Sequence, residues 1–178
     1  MAVGGEFRLI QHKYEEAYGA KVRPDFPGYF TRRGAALGYR RASADALFVE
    51  QYLGEPVEAI VSRKLGRQVE RHDVVELGNF ASNNALAMIE LWGAAANDLA
   101  GTSEVAVATL TGDLRQMFAR IGLPIVSLAP ARPESLAGSP EVWGSYYTHD
   151  PEVCAGLIVD GKAAIDAFLS SRRRADCA

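Results

Sequence analysis

Between Val74 and Leu128 the hydrophobic pattern switches back and forth between a strand period and a helix period. Val74–Ala81 is a short apolar, β-branched run and reads as a buried strand. Ser82 or Asn83 can cap the helix that follows, in which Leu86, Ile89, Trp92, Ala96 and Leu99 recur at helical spacing before Gly101. Val105–Leu110 reads as a second strand. Thr111 caps a short helix with Leu114, Met117, Phe118 and Ile121 on one face, Gly122 stops it, and Ile125–Leu128 is a third strand. A β-α-β-α-β run of this kind implies parallel neighbours.

The flanks are read in the same way. Phe7–Gln11 reads as a first strand and His12–Ala20 as a short helix that ends before Pro24. Tyr29–Arg33 and Ala35–Arg41 flank Gly34 as a hairpin. Leu47–Tyr52 reads as an apolar strand with Glu50 and Gln51 embedded. Pro56 opens a helix to Leu65, stopped by Gly66. Residues 130–140 form a loop rich in Pro, Ala and Ser, Val153–Val159 is a last strand, and Lys162–Leu169 a last helix. The expected class is α/β (α+β), a mixed sheet with helices on both faces. A single domain is expected over residues 1–178, with a disordered tail at 171–178.

Two strings stand out from this pattern. Val-Val-Glu-Leu-Gly-Asn-Phe-Ala-Ser (74–82) puts Glu76 inside a buried strand, where a carboxylate is costly unless paired or neutralised. It also puts Gly78 inside the strand, which marks a bulge or a close backbone approach. Trp-Gly-Ser-Tyr-Tyr-Thr-His-Asp-Pro (143–151) gathers aromatic and polar groups in a loop.

Composition narrows the function classes. The chain of 178 residues is 48% hydrophobic and 23% charged, ordinary for a globular protein. A net charge of −3 gives no global case for nucleic acid, although Arg32, Arg33, Arg40, Arg41 and Arg172–Arg174 make local basic patches. Cys154 and Cys177 are too few for a disulfide framework, which fits a reducing cytoplasm. Met1–Phe7 lacks the basic and apolar parts of a signal peptide, and no run approaches the ~20 apolar residues of a membrane span. The His72-Asp73 and His149-Asp150 pairs would have to converge to hold a metal, and none is expected. Cys154 in its apolar strand reads as a structural thiol, and no Gly-x-Ser-x-Gly elbow supports a serine hydrolase.

Three strings, in order, carry a resemblance: Leu-Phe-Val-Glu-Gln-Tyr-Leu (47–53), Val-Glu-Leu-Gly-Asn-Phe-Ala (75–81) and Trp-Gly-Ser-Tyr-Tyr with Pro-Glu-Val-Cys-Ala-Gly (143–156). They resemble the thermostable hemolysin family from about Tyr14 to Leu157. More distantly, the layout resembles the acyl-homoserine-lactone synthases. Gly38-Tyr39-Arg40-Arg41 is similar to their Gly-x-x-Arg-Leu, and Glu76 to Ala81 is similar to their Glu-x-Ser-Arg-Phe-Ala, with Gly78 and Asn79 in place of Ser and Arg. The resemblance implies the fold of the GCN5-related N-acyltransferases (GNAT), in which two parallel strands splay at a bulge and admit an acyl carrier's arm.

The chemistry expected from this resemblance is acyl or aminoacyl transfer from a carrier to a small amine, a step suited to specialised-metabolite biosynthesis. Freed backbone amides near Gly78, Asn79 and Phe80 would hold the acyl carbonyl. Ala81, Ser82, Asn83 and Asn84 would meet the carrier, although the glycine-rich pyrophosphate loop of coenzyme A enzymes is missing here. The carrier is accordingly open between acyl carrier protein, coenzyme A and aminoacyl-tRNA, with no tightly bound cofactor. Glu76 reads as a base, an orienting group or a structural carboxylate paired with Arg40 or Arg71, and Tyr146 or Tyr147 as the proton donor to the leaving group. Glu50, Gln51, Tyr52, Arg40 and Trp143 are candidate acceptor contacts. A homodimer is possible on this reading. The rival readings are a membrane-active hemolysin and a non-catalytic ligand-binding module.

Overall fold

Strand β3 (Val74–Ser82) organises the chain. Along its first half, period-2 alternation sends Val74 and Glu76 to one face and Val75 and Leu77 to the other. The computed structural model describes residues 4–176. β3 sits inside a six-stranded sheet. On one side it pairs antiparallel with β2 (Ala35–Arg41), which pairs antiparallel with β1 (Gly28–Arg32). The β1–β2 turn has positive φ at both Arg33 and Gly34, matching the twist of the flanking strands. On its other side β3 pairs in parallel with β4 (Val105–Leu110).

The sheet order is β1-β2-β3-β4-β6-β5, with β5 at Val126–Pro130 and β6 at Glu152–Leu157. The parallel run expected over 74–128 therefore holds only for β3 and β4. β6 is inserted between β4 and β5, antiparallel to both. The long connection after β5 returns the chain to that slot, where Val153 and Ala155 join one core and Cys154 the other.

Helices cover both faces. On one lie α1 (Gly5–Tyr18), the single turn α2 (Glu50–Leu53) and α3 (Val57–Leu65). On the other lie α4 (Ala85–Leu99), α5 (Gly112–Arg120) and α6 (Ile158–Asp176).

Three local expectations need correction. Phe7–Gln11 is helix rather than strand, because Ile10 and Tyr14 bury one α1 face at a spacing of four. Leu47–Tyr52 does not enter the sheet: carboxylates take the N–H groups of Leu47, Phe48 and Val49, and the chain turns into α2. α6 starts directly after β6 and runs on to Asp176, so 171–176 is helix where a disordered tail was expected. Cys177 lies outside the described residues.

Candidate functional site

The β3–β4 ladder is short. Its pairs run from Val74–Val105 to Leu77–Ala108 and then stop, while β3 continues to Ser82. Beyond that rung the two strands part. At the same point β3 carries a bulge against β2: Gly38 pairs with Gly78 and Ala36 with Ala81, three steps on β3 against two on β2. The bulge residue is Asn79, with φ +51, so it lies one position beyond the expected Gly78. It also reverses the alternation. Phe80 packs with the α4 core and Ala81 with the α1 core.

Gly78 has a different task. A Cβ there would lie 2.6 Å from Phe26 Cζ, and one at Gly38 would lie 2.6 Å from Phe26 Cγ. The Phe26 ring is laid across this glycine pair.

A cavity of about 610 Å³ opens above the parted strands. Its floor is Glu76 to Phe80 of β3 and Thr109 of β4. One wall is Tyr14 of α1 with residues 21–26, another is Phe48, Gln51 and Tyr52. The roof is a strap over 136–146 that includes Trp143 and Tyr146. The strap is fastened by backbone bonds from the Lys21 N–H to the Val142 carbonyl (2.7 Å) and from the Ser145 N–H to the Tyr18 carbonyl (2.8 Å). The Ala137 N–H adds a bond to Gln51 Oε1 (2.9 Å).

Glu76 is 2% exposed. Its Oε2 accepts from the Phe48 N–H at 2.8 Å and its Oε1 from the Val49 N–H at 3.0 Å. The Arg40 guanidinium stands 4.0 Å from Oε2. Burial pushes the carboxyl up to about 7, against the pull of those two amides and Arg40. A carboxyl poised there can both take and hold a proton near neutrality.

Arg40 donates to the Asp25 carbonyl at 3.1 Å and sits over the Phe26 ring, 5.1 Å from its centroid. It contacts the carboxylate without lining the cavity. Arg71, the other anticipated partner of Glu76, instead binds Glu50 (2.7 Å) and Glu58 (3.0 Å). Arg71 holds the Glu50 carboxyl down at about 2, and the Leu47 and Val57 N–H groups also donate to it. Glu50 is thus turned to a structural cluster beside α3, away from the cavity.

The aromatic candidates converge. Tyr52 lines the cavity, and its hydroxyl is 2.6 Å from that of Tyr147. Burial, then the neighbouring phenol, raises Tyr52 above the ordinary phenol range, and burial does the same for Tyr147. Tyr146 is buried, stacks on Tyr14 at 6.4 Å and has its hydroxyl pushed well up. Trp143 packs at 5.4 Å from Tyr146 and 5.8 Å from Phe48.

The residues after Phe80 serve local structure. Ala81 packs against α1. Ser82 Oγ donates to the Asn84 carbonyl, and the Asn83 N–H donates to the Gly34 carbonyl. Asn84, rather than Ser82 or Asn83, caps α4 by accepting from the Ala87 N–H at 2.9 Å.

Below the sheet, a second hollow of about 90 Å³ lies against α4 and α6. Leu77 and Phe80 line both hollows. The lower one is apolar, with Trp92, Phe118 and Ile165 in its wall. Cys154 also lines it, and burial pushes its thiol up to about 12, which keeps it protonated and unreactive. Among the described residues no group of three or more His, Cys, Asp or Glu is placed to hold a metal, and no helix is long and apolar enough to cross a membrane.

A family model described as "Thermostable hemolysin" matches residues 6–162. The chain belongs to that family. No curated protein matches the chain. Among solved structures, apo TofI has a TM-score of 0.57 at 17% identity, covering 93% of this chain and 91% of its own. TofI in a ternary complex with an inhibitor and MTA gives 0.55 at 17%, covering 89% and 87%. FeeM, an N-acyl amino acid synthase from uncultured soil microbes, gives 0.55 at 13%, covering 89% and 92%. This thermostable hemolysin family chain therefore has a GNAT-like fold.

The site residues that sequence reasoning missed include Tyr14, Asp25, Phe26, Phe48 and Thr109. Only Thr109 left a signal, as a hydroxyl inside the apolar run Val105–Leu110.

Proposed function

We propose that this protein is an acyltransferase that moves an acyl or aminoacyl group from a carrier-borne thioester or ester to a small amine. The observation that carries this reading is the parting of β3 and β4 just past the Leu77–Ala108 rung, beside a buried carboxyl poised at about 7. The opening leaves β3 backbone without a β4 partner, and an extended carrier arm can pair with such backbone as an added strand would.

In this reading the amine sits above Glu76, which takes a proton from it as its nitrogen bonds to the acyl carbon. The carbonyl electrons move onto oxygen, where β3 amides near the bulge stabilise the charge, each worth ~3 kcal/mol. The carbon–sulfur or carbon–oxygen bond then breaks. The leaving thiolate or alkoxide takes a proton from the Tyr52–Tyr147 pair, whose raised hydroxyls are fully protonated at neutral pH. Tyr147 reaches the cavity only through Tyr52. Tyr146 and Trp143 shape the acceptor chamber. An acyl tail passes between Leu77 and Phe80 into the apolar hollow, where its burial contributes about 0.8 kcal/mol per methylene. FeeM's description as an N-acyl amino acid synthase agrees with amide formation on this fold.

The test is mass-spectrometric detection of amide product. Purified protein is incubated with a panel of amines and each of three donors: acyl carrier protein thioesters, acyl coenzyme A and aminoacyl-tRNA. Carrier-dependent product is expected from one of them. Absence of product with all three overturns the reading.

A further inference from the structure

At the opening, two polar side-chain atoms are buried without a hydrogen-bond partner: Oγ1 of Thr109 and Nδ2 of Asn79. Both residues line the cavity floor. They stand on the two strands that part. Thr109 is the first β4 residue past the last rung, and Asn79 is the bulge residue of β3. The Tyr29 hydroxyl, which accepts from the Phe26 N–H, lies beside the Asn79 amide without completing a hydrogen bond to it.

Buried polar atoms without partners destabilise a fold, and native proteins keep few of them. Neither atom helps this one. On the same β4 face Thr109 follows Val105 and Val107, both in the apolar core, so valine would suit the strand as well. Asn79 holds φ +51, which glycine adopts without strain. Among the described residues, the two other orphaned side-chain atoms, Arg40 Nε and Trp92 Nε1, belong to residues outside this cavity's lining. The unspent donors are thus concentrated where the strands part.

We propose that Thr109 and Asn79 are catalytic residues that grip the acyl donor by side chain. The Asn79 amide and the Thr109 hydroxyl donate to the activated carbonyl oxygen from the two sides of the opening. As the amine nitrogen bonds to the acyl carbon, the electron pair moves onto that oxygen and both bonds strengthen. When the bond to the leaving group breaks, the pair returns to re-form the carbonyl. The proton given to Glu76 is matched by the one the leaving group takes up. This inference rests on the acyl-transfer reading above.

The experiment measures thermal midpoint and single-turnover transfer for wild type, Thr109→Val, Thr109→Ser and Asn79→Gly. The expected result is an unchanged or higher midpoint for Thr109→Val and Asn79→Gly, with transfer slowed on the order of 100-fold by each. Thr109→Ser, which keeps the hydroxyl, stays within a few-fold of wild type. A merely structural role predicts the reverse for Thr109→Val, a lower midpoint with transfer intact in the folded fraction. A lower midpoint in Thr109→Val overturns the inference whatever the activity. Wild-type transfer matched by Thr109→Val and Asn79→Gly overturns it alone. No wild-type transfer from any of the three carriers overturns it together with the acyl-transfer reading.

Discussion

Gly38 and Gly78 are paired across the β2–β3 ladder, and the Phe26 ring occupies the space that a side chain on either would need. This contact brings the 21–26 segment down onto the sheet and makes Phe26 a wall of the cavity. Gly78→Ala is expected to lose about 1–3 kcal/mol through overpacking, read as a lower denaturation midpoint at unchanged slope. In a Phe26→Leu background the same change costs less, so the double-mutant cycle shows coupling. Additive losses would dissociate the glycine from the ring.

Glu76 makes stability depend on pH in a stated direction. Its folded carboxyl is raised from 4.5 to about 7, so the folded state holds more protons than the unfolded chain between those values. The contribution therefore favours folding at low pH and fades as pH rises from about 4.5 through about 7, by roughly 3 kcal/mol. Glu50, held down at about 2, acts below that window and leaves it undisturbed. The stability difference between Glu76→Gln and wild type is expected to shrink from pH 5 to pH 7.5. A difference independent of pH would mean that Glu76 is ionised throughout.

The same carboxyl predicts a rate profile. Transfer should rise with pH through about 7 in wild type, following loss of the Glu76 proton, with Glu76→Gln slowed by a factor on the order of 100 to 10,000 and flat over that range. An unchanged profile in Glu76→Gln would assign the proton to another group.

The Tyr52–Tyr147 pair should behave as a unit. With their hydroxyls 2.6 Å apart, Tyr52→Phe and Tyr147→Phe are each expected to lower transfer, and the double variant is expected to be little worse than either. Each single change should cost about 1 kcal/mol of stability. Strictly additive kinetic losses would separate their roles.

Glu50→Gln checks the structural cluster. Loss of the Arg71 ion pair and of one of the two oxygens that serve the Leu47 and Val57 amides should cost about 2 kcal/mol. Transfer per folded molecule should not change. A raised acceptor KM at intact stability would instead place Glu50 at the acceptor.

Much of the sheet was legible because its period is sharp. The run Val74–Leu110 contains two apolar strands around a helix with one clear stripe, and it folds that way. Glu76 was legible because a carboxylate in such a strand demands an explanation. Phe7–Gln11 misled, since Phe7, Leu9 and Gln11 also fit alternation, and the deciding partners, Ala36 and Ala81, lie far along the chain. Insertion of β6 beside β4 depends on long-range pairing that leaves no local mark. Phe26 was hidden for a similar reason: a loop aromatic acquires its place only when two distant glycines meet.

The strap over 136–146 and the segment over 21–26 carry much of the chamber's wall and roof, yet neither contributes a strand to the sheet. Floor and enclosure are consequently separable inheritances. On the proposed reading, the carboxyl that takes the amine proton and the groups that hold the acyl oxygen stand on β3 and β4, whereas irregular chain bounds the space the acceptor must fit.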